Sequence, residues 1–427
     1  MNRRLIGALL VSGCFIVPAV PASSAPQITF EDASRDLASG DPAVRLRAAR
    51  LLKDAGYPEA AVPLAKLVTD PQDDVQLEAI AAEVNIFLAE PVVSRKRFGF
   101  VIEVRAQVLA ESAFSAGPLA LGPRPVPVEV LSALRAGAHD ENPRVGLESL
   151  YAFGALAAQA GGARRRDLLS ASGADLAAFV GAPDPAVRYA GLRVIGRVWA
   201  RRPSDPPVDS IVGDAVIAAL NDRDRAVTVA AMQALGAMRY ERAIQALDNL
   251  FRYYGKGDRA EAALDAVARI AHPGSAPLLA AELTSKSAPI RGIAAEGLIR
   301  IGDRAQMTAV ETALGTERNA GAALVKDFAA ALLSGAPIEP IVSALTKPRL
   351  RDQAKAYLVD LVGPRLSAFS VYAQDPDAAI RRDIADVLGL AEDLAALSLA
   401  ESLLTDRDQQ VAKAAERAVA RLRATTM

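Results

Sequence analysis

The chain has 427 residues, 51% of them hydrophobic and only 5% aromatic, with Lys plus Arg at 49 against Asp plus Glu at 50. That balance argues against a general nucleic-acid binder, which is expected to be basic. A core of Ala, Leu and Val argues against a β-sandwich, whose strands favour β-branched and aromatic residues.

Residues 1–25 carry Arg3 and Arg4, then an apolar run from Leu5 to Val20, then the small residues Ala22, Ser23, Ser24 and Ala25. This is the pattern of a secretory signal peptide, removed on export. Pro18 breaks the run and it is short for a membrane span. Pro26 disfavours cleavage after Ala25, which leaves Ala22 or Ser24 as the last residue removed. Val11-Ser12-Gly13-Cys14 resembles the lipobox of bacterial lipoproteins, so a lipid anchor through Cys14 stands beside ordinary cleavage. Cys14 is the one cysteine, so the exported chain has no disulfide and is held by packing. The expected place is the periplasm or cell surface, with membrane contact only if Cys14 is lipidated.

The exported part, 26–427, is organised by a recurring turn. Asp41-Pro42-Ala43-Val44-Arg45 recurs as Asp184-Pro185-Ala186-Val187-Arg188, with looser copies at Asn142, Asp375 and Asp406. Asp or Asn caps the first turn of a helix, and Pro fits its first position. Apolar residues then fall at i, i+4 and i+8, as in Val187, Gly191, Ile195 and Ile380, Ile384, Leu388. Gly154, Gly196, Gly236, Gly302 and Gly389 stand where a left-handed cap would end each helix. The steps from Val44 to Val75 and from Ile380 to Val411 are about 30 residues, the period of a two-helix solenoid unit.

In chain order, a short helix over 31–40 leads to the turn at Asp41, and an outer helix over 58–68 leads to the turn at Asp70. A longer pattern covers 95–114. Gly117, Gly122, Pro123, Pro125 and Pro127 then mark a loop over 115–128, where the array is interrupted. The array resumes with helices over 144–157, 166–180, 186–200, 224–238, 241–253, 258–271, 275–283 and 288–301. It ends with 304–314, 320–333, 339–345, 349–362, 377–389, 392–404 and 409–423. About eleven inner helices, at roughly 8–10 Å per layer, predict a body on the order of 100 Å long.

The Asp-Pro-x-Val-Arg turns, with Ala-rich spacing and Leu-Gly endings, resemble the HEAT-repeat family, in the short bacterial form akin to phycobilisome-lyase repeats. The resemblance implies an all-α solenoid whose helices after each turn line the concave face, used to bind a protein or peptide. It leaves open a lyase-like enzyme or an enzyme-maturation factor, since one fold carries many functions.

The candidate functional residues are few. Arg164, Arg165 and Arg166 with Arg197, Arg201 and Arg202 are dense enough for an anion or acidic-partner patch; helix C-capping by Arg201 and Arg202 is the plainer reading. Phe251, Tyr253 and Tyr254, with Arg252 and Lys256 between and after them, are the densest aromatic group, a partner contact or a plug at a helix end. The same two readings apply to Trp199. Leu119, Leu121, Val126 and Val128 alternate with Gly and Pro such as Pro125, and so either dock a partner or cover a seam. Arg45, Arg188, Arg291 and Arg381 are expected to pair with a turn Asp of the same or the next layer. Arg202 reads as exposed. His139 and His272 lack partners at ligand spacing and read as turn residues. No metal or cofactor is expected, and nothing in the motifs points to an enzyme.

Overall fold

A computed structural model describes residues 29–89, 110–117, 121–122, 124–202, 205–302, 304–315 and 320–425. The expected export segment 1–25 with Cys14, most of the pattern at 95–114, and Leu119 lie outside the described residues.

The chain runs through helices α1 (Phe30–Asp36), α2 (Pro42–Ala55), α3 (Ala61–Ala65), α4 (Asp73–Phe87), α5 (Ala110–Ala116), α6 (Val128–Gly137), α7 (Pro143–Ala157) and α8 (Gly162–Val180). It continues with α9 (Pro185–Val198), α10 (Ser210–Ala218), α11 (Arg225–Met238), α12 (Ile244–Tyr254), α13 (Asp258–Ile270), α14 (Ala276–Glu282) and α15 (Ala288–Ile301). The last part is α16 (Met307–Gly315), α17 (Ala320–Ala329), α18 (Glu339–Ala344), α19 (Arg351–Arg365), α20 (Ala378–Ala391), α21 (Leu397–Ser402) and α22 (Gln409–Ala424). The fold is an all-α solenoid. Among the described residues the one strand-like contact is an isolated bridge between Leu88 and Leu121. No described helix is long and apolar enough to cross a membrane.

The long helices form one layer. Helix α2 packs on α4, α4 on α7, and α7, α9, α11, α13 and α15 follow side by side; α19, α20 and α22 complete the row. The helices between them, α3, α6, α8, α10, α12 and α14, make the second layer; all but α8 are shorter than those of the first. One continuous apolar core runs between the layers from Ala33 to Leu422. The apolar register read from sequence holds, with Val227, Ala231, Leu235 and Ile290, Ala294, Leu298 all buried.

The turn residues make a ladder. Asp41, Asp184 and Asp377 cap their helices, accepting from the backbone N–H of Ala43, Ala186 and Ala379. The arginine four residues after each cap reaches the next layer. Arg45 grips Asp70 at 2.7 and 2.9 Å, Arg188 grips Asp222 at 2.7 and 3.0 Å, and Arg381 grips Asp406 at 2.7 and 2.8 Å. Each also donates to carbonyls of its own turn, such as Ser39, Ala182 and Asp375. In the second unit Gln76 takes the arginine's place and donates to Asp140 at 2.8 Å. Such bidentate pairs are directional, and they fix how far one layer rotates on the next.

The glycines correct the sequence reading. Of the five read as left-handed caps, Gly302 alone has positive φ, at 76°. The others are close-approach sites inside helices. A Cβ on Gly196 would lie 3.2 Å from Ala234 Cα, one on Gly236 3.0 Å from Ala266 Cα, and one on Gly389 2.6 Å from Ala418 Cα. All three sit near helix C-termini, so the long helices nearly touch there. Near the N-terminal ends Val227 and Ile290 are buried and the Arg–Asp pairs join one layer to the next.

The middle of the array meets its end. A Cβ on Gly161 would lie 2.9 Å from the carbonyl of Ala424, at the end of α22. Arg202, after α9, pairs with Glu392, after α20, at 3.0 Å. Between α15 and α19, Tyr357 donates to Glu296 at 2.5 Å while Arg300 bridges Glu296 and Asp360. Those contacts carry the row past the short α16 and α18 and the π-turn at Ala330–Ser334.

The loop expected at 115–128 is partly helical, since α5 runs to Ala116. The described part folds back on α4, with the Gly122 N–H donating to the Phe87 carbonyl at 2.6 Å.

Candidate functional site

The C-terminal ends of the long helices line a cavity of about 1440 Å³. Its wall comes from the ends of α7, α9, α11, α13, α19, α20 and α22 and the turns that follow them. The last carbonyls of a helix lack intrahelical partners, and here the chain supplies them: the Arg201 N–H donates to Ala237, and the N–H groups of Arg239 and Tyr240 donate to Gly236 and Leu235. Its side chains include six arginines, Arg197, Arg201, Arg202, Arg239, Arg242 and Arg421, and four carboxylates, Glu241, Asp360, Glu392 and Asp393.

Arg202 is not exposed, contrary to the sequence reading. Its guanidinium donates to the carbonyls of Ala160 at 3.0 Å and Ala158 at 2.6 Å, as well as pairing with Glu392. Burial pushes its pKa down, and Glu392 opposes that. Glu392 is in turn pushed up by burial, against the pull of Arg202, Arg165 and Arg421. Burial, then the neighbouring cations, push Arg197 down to about 10. Burial likewise brings Arg421 to about 10, with Asp386 and Glu392 acting in the other direction. Arg197 donates to the Phe114 carbonyl and lies 4.7 Å over the Phe114 ring. Its Nε and Nη2 are buried and have no hydrogen-bond partner among the described residues.

Charged residues occupy left-handed positions at this rim. The three non-glycine residues with positive φ among the described residues are Arg239, Ala271 and Glu392, at 51°, 55° and 53°. All three are helix C-caps, of α11, α13 and α20, and Arg239 and Glu392 line the cavity. Gly56 and Gly302 do the same job at α2 and α15. A side chain there costs on the order of 1 kcal/mol relative to glycine.

The arginine group read from sequence divides. Arg197, Arg201 and Arg202 line the cavity. Arg201 lies at the surface and donates to the carbonyls of Asp205 at 2.8 Å and Pro206 at 2.5 Å. Arg165 is buried and pairs with Asp205 at 2.6 and 2.8 Å, so it is a structural ion pair, not a partner contact. Arg164 and Arg166 are exposed on α8 and do not line the cavity.

The aromatic group also divides. Phe251 is buried, because it faces the core of its unit, and is closed to a partner. Tyr253 is 81% exposed. Tyr254 is half-buried under Arg259, 4.2 Å from ring to guanidinium, and stands edge-on to Tyr253. All three belong to α12, in the second layer, and none lines the cavity. Trp199 is buried against Gly173 and fills the core. Leu121 is buried and paired with Leu88, so it covers a seam and is not free to dock. Pro125 is exposed. His139 stacks on Phe179 at 4.7 Å, and His272 caps a short turn by accepting from Gly274.

Sequence reasoning missed Arg239, Tyr240, Arg242, Glu392 and Arg421. The available signal was Arg239 and Glu392 standing where glycine ends other units.

No family model matches the chain, and no curated protein does. Solved structures are similar to it at low identity and low TM-score. An engineered protein is 18% identical over 92% of this chain and 98% of that one, with a TM-score of 0.44. A chain from work on a phosphorylation switch in the interaction between cadherin and beta-catenin is 13% identical over 92% and 90%, with a TM-score of 0.43. A designed armadillo repeat protein is 17% identical over 64% of this chain and all of that one, with a TM-score of 0.37. Likeness at this level carries nothing about function.

Proposed function

We propose that this helical repeat protein is an exported, non-enzymatic scaffold that takes a segment of a partner protein or peptide into the cavity on its concave side. The observation that carries the reading is the size and make-up of that cavity. At about 1440 Å³ it exceeds the 300–1,000 Å³ usual for small-molecule sites. Seven helix ends contribute to it, so its wall is preformed by the ladder and the seam. A rigid wall lowers the ordering cost of binding. Export rests on the segment at 1–25.

A photo-crosslinking residue in place of Leu394 tests this in the native envelope. Leu394 lines the cavity and is 44% exposed. The same probe in place of Val128, 69% exposed and away from the cavity, is the control. The expected result is one discrete protein adduct from the first site and none from the second. No adduct at 394 from folded, exported protein overturns the reading.

A further inference from the structure

Resting on the scaffold reading, we infer that the cavity selects an acidic peptide segment, whose carboxylates sit among the arginines at the seam. The wall carries six arginines against four carboxylates; Arg202 and Arg242 are paired with Glu392 and Asp214, and most of the carboxylates are committed too. Glu392 is held by Arg202, Asp360 lies 3.6 Å from Arg300, and Asp393 accepts from the Ala395 N–H at 3.0 Å. Arg239 is exposed at the rim with no side-chain partner among the described residues. Arg197 lines the same cavity, and its Nε and Nη2, buried behind the wall, have no partner among the described residues.

The protein already holds one carboxylate in this place. Glu392 reaches Arg202 from a left-handed C-cap, a conformation that glycine adopts at other helix ends. That arrangement shows the group this wall accepts. Arg421 feels the like charge of Arg202, and Arg197 that of Arg421, so an incoming anion relieves repulsion along this row. Several wall carbonyls already accept from the protein, those of Ala158 and Ala160 from Arg202 and that of Ala237 from the Arg201 N–H, so the peptide class rests on the scaffold reading and the acidic preference on the arginines.

The test uses the purified exported protein and two fluorescein-labelled decapeptides, one alternating Glu and Gly, the other Gln and Gly. Arg239→Gly with Arg201→Gln is the binding variant; Arg239→Gly suits the left-handed cap, so the fold is retained. Arg164→Ala with Arg166→Ala is the control, outside the cavity. The Glu peptide is expected to bind with a salt-sensitive affinity about tenfold above that of the Gln peptide. The cavity variant is expected to lose about tenfold for the Glu peptide, and the control to lose nothing. Equal binding of the two peptides overturns the acidic preference, and the adduct from residue 394 then shows whether the scaffold reading survives. Binding of neither peptide, or displacement of the Glu peptide by equimolar inorganic phosphate, overturns the inference as well.

Discussion

Arg202 Nη1 lies 3.0 Å from Glu392 Oε1, joining the turn after α9 to the cap of α20. The two side chains are 18% and 17% exposed, so neither can simply return to water if the other is removed. Arg202→Ala also frees the carbonyls of Ala158 and Ala160. It is expected to cost about 3 kcal/mol in urea unfolding, as breaking a buried pair does. Arg164→Ala, at an exposed site, is expected to stay within about 0.5 kcal/mol of the parent. Equal midpoints for the two variants would show that the seam does not contribute to stability.

The ladder makes a second test. Arg381 and Asp406 have side chains 5% and 9% exposed and meet in a bidentate pair. Arg381→Ala is expected to lose about 2 kcal/mol, chiefly in the last two layers, where hydrogen exchange should quicken first. The hydrogen bond from Arg381 holds Asp406 below its usual range, as Arg188 holds Asp222. A depressed carboxylate contributes stability above its unfolded pKa and loses it as pH falls through the folded value. Acid should therefore loosen the ladder below about pH 4, and Arg381→Ala should flatten that part of the stability profile. An unchanged acid limb would place the titration elsewhere.

Glu83 behaves in the opposite way. It is fully buried, and neither carboxylate oxygen has a partner among the described residues. Burial raises its pKa well above 4.5, so it is held as the neutral acid. The folded state then binds a proton that the unfolded chain gives up, and stability falls as pH rises above about 4.5. Glu83→Gln should remove that slope, and Glu83→Leu should raise stability by about 2 kcal/mol. A parent protein whose stability is flat from pH 5 to 8, with Glu83→Leu destabilising, would mean the carboxyl is satisfied.

The close approach of neighbouring long helices rests on glycine contacts. Gly389→Ala would push a methyl group to 2.6 Å from Ala418 Cα, where backbone must move. It is expected to cost about 2 kcal/mol. Gly292→Ala, in α15 with nothing within 4 Å, is expected to stabilise by about 0.5 kcal/mol. Thermal denaturation of the two variants checks the pair, and a shared sign would contradict the close approach.

The repeats were legible because their signals are local. An Asp cap, a Pro and apolar residues four apart all act within one helix, and the helix bounds follow. The Arg–Asp ladder was legible too, since Arg45, Arg188 and Arg381 recur at one offset from the cap. What was not legible depends on the sum of many layers. Whether Gly389 is a cap or a close contact turns on Ala418, which belongs to the next layer. Arg202 looked exposed because Glu392 lies far along the chain and meets it only where the end of the array returns to its middle. Arg165 looked free because Asp205 sits in a turn with no repeat signature. Sequence thus placed three of the cavity's arginines together without showing the cavity.

Contact between the middle of the array and its end is the claim on which the seam, the cavity and the binding proposal all depend. A Cβ on Gly161 would stand 3.2 Å from the Ala424 Cβ and 2.9 Å from its carbonyl, so the end of α22 must give by a few tenths of an ångström to reach the roughly 3.5–4.5 Å that a disulfide spans. The measurement is oxidation of a Gly161→Cys, Ala424→Cys variant in which Cys14 is replaced by Ser. The expected result is an intramolecular disulfide in the folded monomer, seen as two lost thiols by mass and a more compact band without reductant. Two free thiols in the folded monomer under mild oxidant, or crosslinking only between molecules, would mean an open solenoid and would contradict the account.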